Sequence, residues 1–271
     1  MKATQTNITF NTRIQDIART MGISPRARHL IHGGTTNDLS TLKPEDIVTL
    51  VREGVLKDQD ALFWLSVLAV QAEQEATHHE KLATIDELSG VYNRRTFIDT
   101  FSRELTRLRA KYDRNQYLAK DQPLAVSLAI VDIDHFKNIN DVYGHSVGDR
   151  VIKGIARALT KSIRGGDTVY RYGGEEFAVL LGETNEKEAH KAAERFRTTI
   201  KKIRFVGMVG NKKKTFRITA SVGIVVVHAE DIKKNKMTDT LIPIFVDRAD
   251  AALYEAKHTG RDRVVMWHKG L

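Results

Sequence analysis

The sequence contains no cysteine, which excludes disulfides and thiolate metal centres and leaves oxygen or imidazole groups to hold any metal. Hard cations such as magnesium suit those ligands. Long hydrophobic runs are missing too. The longest nearly apolar stretch, 61–70, is interrupted by Ser66 and is about half of what a membrane-spanning helix needs. The amino terminus lacks the basic-then-apolar pattern of a secretory signal. A cytoplasmic protein with no integral membrane segment is therefore expected. Aromatic residues make up only 7% of the chain, few for stacking bases, so nucleic acid is not an expected partner despite a net charge of +9. That charge suits an anionic ligand. A chain of 271 residues that is 41% hydrophobic can bury one large core or two modest ones.

Two regions differ in pattern. Residues 1–80 read as all-helical, beginning with Ile14, Ile17, Ala18 and Met21 on one helix face before Gly22. The Gly-, Thr- and Asn-rich segment 33–37 reads as a loop. Farther on, Leu62, Leu65, Ala69, Ala72, Ala76 and His79 recur at alternating spacings of three and four. That spacing fits either a parallel coiled-coil stalk or a helix packed on its own core. Residues 81–271 instead alternate strands and helices, an α/β or α+β pattern. Strands are expected at 124–131, 168–172, 177–181 and 218–227, and helices at 147–162, 186–202 and 244–259. The basic segment 201–217, with its Gly-Asn turn, reads as an exposed hairpin.

The apolar strand at 124–131 runs into Asp132, Ile133, Asp134, His135, Phe136 and Lys137, so carboxylates emerge at the end of a buried strand. Alternation would put Asp132 and Asp134 on one side, where paired oxygens can hold magnesium; Asp134 could instead cap the next turn. Farther along, Tyr172-Gly173-Gly174-Glu175-Glu176-Phe177 sits between two strand-like runs. Two glycines there mark a turn that needs positive φ or close approach of a ligand. Adjacent glutamates repel unless a cation or a proton lies between them.

These motifs together resemble the GGDEF family of diguanylate cyclases. The likeness runs from about Asp86 to Arg263 and includes Asn93-Arg94-Arg95, DIDHFKNIND, GHSVGD, the GGEEF form at 173–177 and ADAALYEAKHTGRDR. It implies a palm-like, nucleotidyl-cyclase-like domain over 81–271, with a central, mostly antiparallel sheet flanked by helices. It also implies that two GTP molecules condense to cyclic di-GMP and pyrophosphate. A GGDEF-type receptor without turnover is the alternative reading.

By that resemblance, Asp132, the Ile133 carbonyl, Glu175 and Glu176 would hold two magnesium or manganese ions per active site, and Asp132, Glu175 and Glu176 would be catalytic. Asn140 and Asp149 would read guanine. Phe136, His145, Gly173 and Gly174 would line the nucleotide, while Lys137, Lys257 and Arg261 would take the phosphates. Lys257 and Arg261, four apart, would converge from one helix face. Arg164 and Asp167 match the RxxD product-inhibition site of such cyclases, with Arg195 completing it; a turn-stabilising ion pair is the plainer reading of Arg164 and Asp167. Because each domain binds one GTP, a homodimer would be needed for catalysis. The helices of 1–80 would serve regulation or dimerisation, as a docking place for a regulatory protein.

Overall fold

The computed structural model describes residues 83–115, 125–233 and 241–271, together with short helical pieces between 47 and 73. The chain divides into two compact units, Met1–Glu80 and Lys81–Leu271. In the first, Ile47 and Ala61 are buried, while Leu62 is 69% exposed. Along the expected heptad seam, Leu65 is half-buried and Ala69 and Ala72 are exposed. Ala76 and His79, the early helix face Ile14 to Met21 and the loop at 33–37 lie outside the described residues. Among the described residues no helix is long and apolar enough to cross a membrane.

The second unit begins with helix α1 (Arg94–Asn115), followed by strand β1 (Ala125–Ile133), α2 (Phe136–Tyr143) and α3 (His145–Ser162). Then come β2 (Thr168–Arg171), β3 (Glu176–Leu181), α4 (Glu186–Lys202), β4 (Phe205–Val209), β5 (Lys212–Phe216) and β6 (Ala220–His228). The short α5 (Ala229–Lys233), α6 (Leu241–His258) and β7 (Val264–Met266) complete it. The main sheet has the order β2-β3-β1-β6-β7. Its pairings are antiparallel except β6 with β7.

β1 is buried along its whole length because helices cover both of its faces. Ala129, Val131 and Ile133 join the core under α3 and α4. Leu128 and Ile130 join a second core under α1 and α6, with Phe97, Phe101 and Phe245. Helix α4 starts with a capping box, in which Asn185 accepts from the Glu188 N–H and Glu188 returns a bond to the Asn185 N–H. Gly223 on β6 lets α6 lie close: a Cβ there would come within 2.2 Å of the Ala249 carbonyl oxygen. The basic segment forms the separate β4–β5 hairpin, with Phe205 buried and Lys212, Lys213 and Lys214 exposed.

Candidate active site

The carboxyl end of β1 meets the amino end of β3. Their antiparallel register pairs Asp132 directly with Glu176, so the two side chains share one face of the sheet. That face carries α6, and Lys257 in its last turn places Nζ 2.8 Å from Asp132 Oδ2. Glu175 stands in the turn just before β3. Burial raises the Asp132 carboxyl above its ordinary range; Lys257 opposes this, and the charges of Glu176 and Asp134 add to it. Burial also raises Glu175, followed by the charge of Asp132, against Lys257, with Glu176 adding a further rise. Three carboxylates thus crowd one end of the sheet, and one ammonium contacts Asp132 among them.

The turn bearing the paired glycines is held from both sides. The Tyr172 and Gly173 N–H groups both donate to the Glu176 carbonyl, at 2.9 and 3.2 Å. Arg171 donates to the Gly174 carbonyl at 2.8 Å and to both oxygens of Asp86 at 3.0 and 3.1 Å. Burial works to raise Asp86, but the hydroxyl and N–H of Ser89, and then Arg171, leave its carboxyl below the usual range. Neither Gly173 nor Gly174 has positive φ. The conformational reason expected for the pair is therefore absent. Gly173 instead leaves room for its neighbour, since a Cβ there would lie 2.5 Å from Glu176 Oε2.

A second group gathers on the other side of the strand end. His135, in left-handed backbone at φ 58, turns the chain from β1 into α2, a conformation histidine tolerates better than most residues. Phe136 is buried and Lys137 is exposed. Asn140 Oδ1 is buried without a hydrogen-bond partner. It points at Gly148 of α3, where a Cβ would stand only 2.0 Å away. Asp149, the next residue, and His145, at the start of α3, are exposed. A buried carbonyl oxygen with no donor is costly, and a ligand amine can satisfy it.

One expectation fails here. α6 ends at His258, so Lys257 and Arg261 do not share a helix face. The chain turns through Gly260 at φ 120, and Arg261 follows at φ 58. Asp134 lies one residue past the end of β1 but keeps the expected side, because it is reached by Ser221, the cross-strand partner of Asp132. Its carboxylate accepts the Thr219 and Ser221 hydroxyls at 2.6 and 2.7 Å.

The RxxD residues lie at the opposite end of β3. Asp167 is buried and accepts from the N–H groups of Arg164 and Gly182 at 3.2 and 3.3 Å. Arg164 donates to the Gly182 and Glu183 carbonyls at 2.7 and 3.1 Å. Arg195, from α4, donates to the Ser162 carbonyl at 2.6 Å, beside the same loop.

Sequence reasoning missed Asp250. On α6 it is half-buried, and its carboxyl is pushed up to about 6 by burial and by the charges of Glu176 and Asp247, against Lys257 and Arg94. Its spacing of seven from Lys257 puts both on one helix face and was the available signal. Arg94, from the amino-terminal motif, also reaches this end, with its guanidinium 4.7 Å from the centre of the Tyr172 ring.

The fold and this site agree with a family comparison. Residues 83–263 match the family of diguanylate cyclase GGDEF domains, and the chain belongs to that family. The diguanylate cyclase VdcA of Vibrio cholerae is 33% identical over 234 residues, covering 83% of this chain and 62% of VdcA. The coiled coil and GGDEF domain of DgcB from Caulobacter crescentus, solved in complex with c-di-GMP, has a TM-score of 0.60 at 27% identity. It covers 74% of this chain and 96% of that one. The diguanylate cyclase SiaD from Pseudomonas aeruginosa, solved in complex with its activator SiaC, has a TM-score of 0.51 at 29% identity, covering 98% of this chain and 88% of that one. The chain spans 62% and 36% of the lengths of two curated relatives that it matches.

Proposed function

We propose that this chain condenses two GTP molecules into cyclic di-GMP, releasing two pyrophosphates. The 3′-hydroxyl of one GTP attacks the α-phosphorus of the other, the bond to the β-phosphate oxygen breaks, and one repetition closes the ring. The observation that carries this reading is the cross-strand pairing of Asp132 with Glu176, with Glu175 beside them. Like charges opposite one another destabilise a strand pair, so the arrangement calls for cations.

Among the described residues no group of three or more acidic or imidazole side chains is already drawn together around a point. The donor set nevertheless fits a hard divalent ion. Its ligands would be oxygens, and the ammonium of Lys257 already occupies a cation's place on Asp132. Asp132, the Ile133 carbonyl, Glu175 and Glu176 would hold magnesium or manganese, two per site. Such ions neutralise triphosphate charge and lower the pKa of a bound hydroxyl.

The remaining work falls to the protein's own groups. Asn140, with its unpaired oxygen, and Asp149 take the guanine edge, which leaves polar groups unsatisfied when adenine is offered. Phe136 and His145 border the base, and Gly173 and Gly174 keep side chains away from the phosphates. Lys137, Lys257 and Arg261 hold the triphosphate and offset the charge of the leaving pyrophosphate. Glu175 or Glu176 takes the hydroxyl proton.

Each domain carries one such site, so two chains face one another for reaction, and holding the reactants together supplies much of the acceleration. Residues 1–80 form a regulatory or dimerising region. The likeness of a cyclase solved with its activator, over 98% of this chain, supports a protein partner there. Arg164, Asp167 and Arg195 form a product-inhibition site, a reading supported by their placement around one loop away from Glu176.

Purified protein incubated with GTP and magnesium is expected to yield cyclic di-GMP on chromatography, and Glu176→Ala about 1,000-fold less. A dimeric preparation that binds one GTP per chain and forms no product would mark a receptor instead.

A further inference from the structure

We infer that Asp134 is a positioning residue: it fixes the turn that presents Arg261 to the triphosphate. This rests on the functional reading above. Asp134 is 5% exposed, and among the described residues no cation pairs with it. Its three donors are the Thr219 and Ser221 hydroxyls and, at 3.1 Å, the backbone N–H of Asp262. The hydroxyls come from the chain entering β6 and secure the carboxylate itself. The third bond crosses to the turn after α6.

That turn is strained. Arg261 and Asp262 are consecutive non-glycine residues at φ 58 and 45, a region that L-residues adopt at a cost, and successive ones persist where surrounding contacts impose them. The contacts are visible on both sides. The Arg261 N–H donates to the Ala256 carbonyl at 2.9 Å. The Asp262 carboxylate takes Arg197 at 2.6 Å and Lys201 at 2.5 Å, both from α4. Between these clamps the Arg261 side chain is exposed and has no hydrogen bond or ion pair among the described residues. Asp134 stands two residues beyond Asp132, so one strand end carries both the acidic pair and the anchor of the arginine turn. Strain held beside a free guanidinium is what fixing a phosphate contact in advance requires.

A purely structural Asp134 would weaken all ligands alike. A positioning Asp134 affects phosphates selectively. The test is calorimetric binding, with magnesium, of a GTP analogue bearing a methylene α–β bridge, and of GMP. Asp134→Ala is expected to weaken the analogue about tenfold and GMP less than twofold. Asp134→Asn, which keeps an oxygen for the Asp262 N–H, should stay within about threefold of wild type. Adding Asp134→Ala to Arg261→Ala should cost nothing further, because residues acting through one contact are not additive. If Asp134→Ala does not fold, Arg197→Met/Lys201→Met releases the turn from its other side and should weaken the analogue but not GMP. Equal loss for both ligands, or additive effects of Asp134→Ala and Arg261→Ala, would overturn the inference while leaving the functional reading intact. A wild-type protein that binds neither ligand would overturn both.

Discussion

The two ends of β3 hold charge in opposite ways. At the Glu176 end, three carboxylates gather with one contacting ammonium, and burial raises Asp132 and Glu175. At the Leu181 end, about 17 Å away by strand rise, Asp167 and Arg164 are satisfied by each other and by the backbone around Gly182. The first end costs the fold stability and leaves charge for a ligand. The second closes a turn as it stands, so a product molecule binding there would have to draw Arg164 away from two carbonyls. Unsatisfied charge therefore marks the chemistry more sharply than the presence of charged residues does.

The largest effect that would break this contrast is loss of turnover. Glu176→Ala or Asp132→Asn should lower cyclic di-GMP synthesis by about 1,000-fold, since cation-bound groups supply several kcal/mol. Either variant should also melt no lower than wild type without metal, because a like-charge pair is relieved. Steady-state rates and thermal melts check both; a melt well below wild type would contradict the contrast.

Next in size is the base pocket. Gly148→Ala puts a methyl into the space of Asn140 Oδ1, so preference for GTP over ATP should fall at least about tenfold. Competition between the two nucleotides reads this directly. Arg171→Ala should then cost about 2 kcal/mol by taking the cation from Asp86 and the donor from the Gly174 carbonyl, lowering Tm by roughly 4–8 °C.

The smallest effect is at Asp250. Its folded pKa of about 6 lies above the ordinary 3.8, so between those values the folded chain keeps a proton that the unfolded chain has lost. Stability must fall as pH rises across that window. Asp250→Asn should flatten the fall and raise Tm at pH 7 by roughly 2 °C, measured without metal or nucleotide.

Much of this was legible in the residues. The apolar run before Asp132 read as a strand covered on both faces, and the structure extends it to Ile133. That extension brings Asp132 into register with Glu176, a pairing that no local pattern specifies. Other features depend on tertiary contacts. Helical spacing suggested one face for Lys257 and Arg261, but α6 ends between them at His258. Asp250 looks like any polar residue in a helix until α6, drawn close by Gly223, buries it near Glu176. Asp134 was read on the side of Asp132 from strand alternation; the strand stops one residue earlier, and it is the bond from Ser221 that keeps Asp134 there. Gly173 has a steric role that depends on the direction of the Glu176 side chain, which sequence does not give.

The most direct test is manganese binding followed by electron paramagnetic resonance, in the presence of the non-reacting GTP analogue. Wild type should hold the ion, and Asp132→Asn and Glu176→Gln should each release most of it, because one cation draws on both strands. Full retention by either variant would contradict the account, since the two carboxylates would then not share an ion.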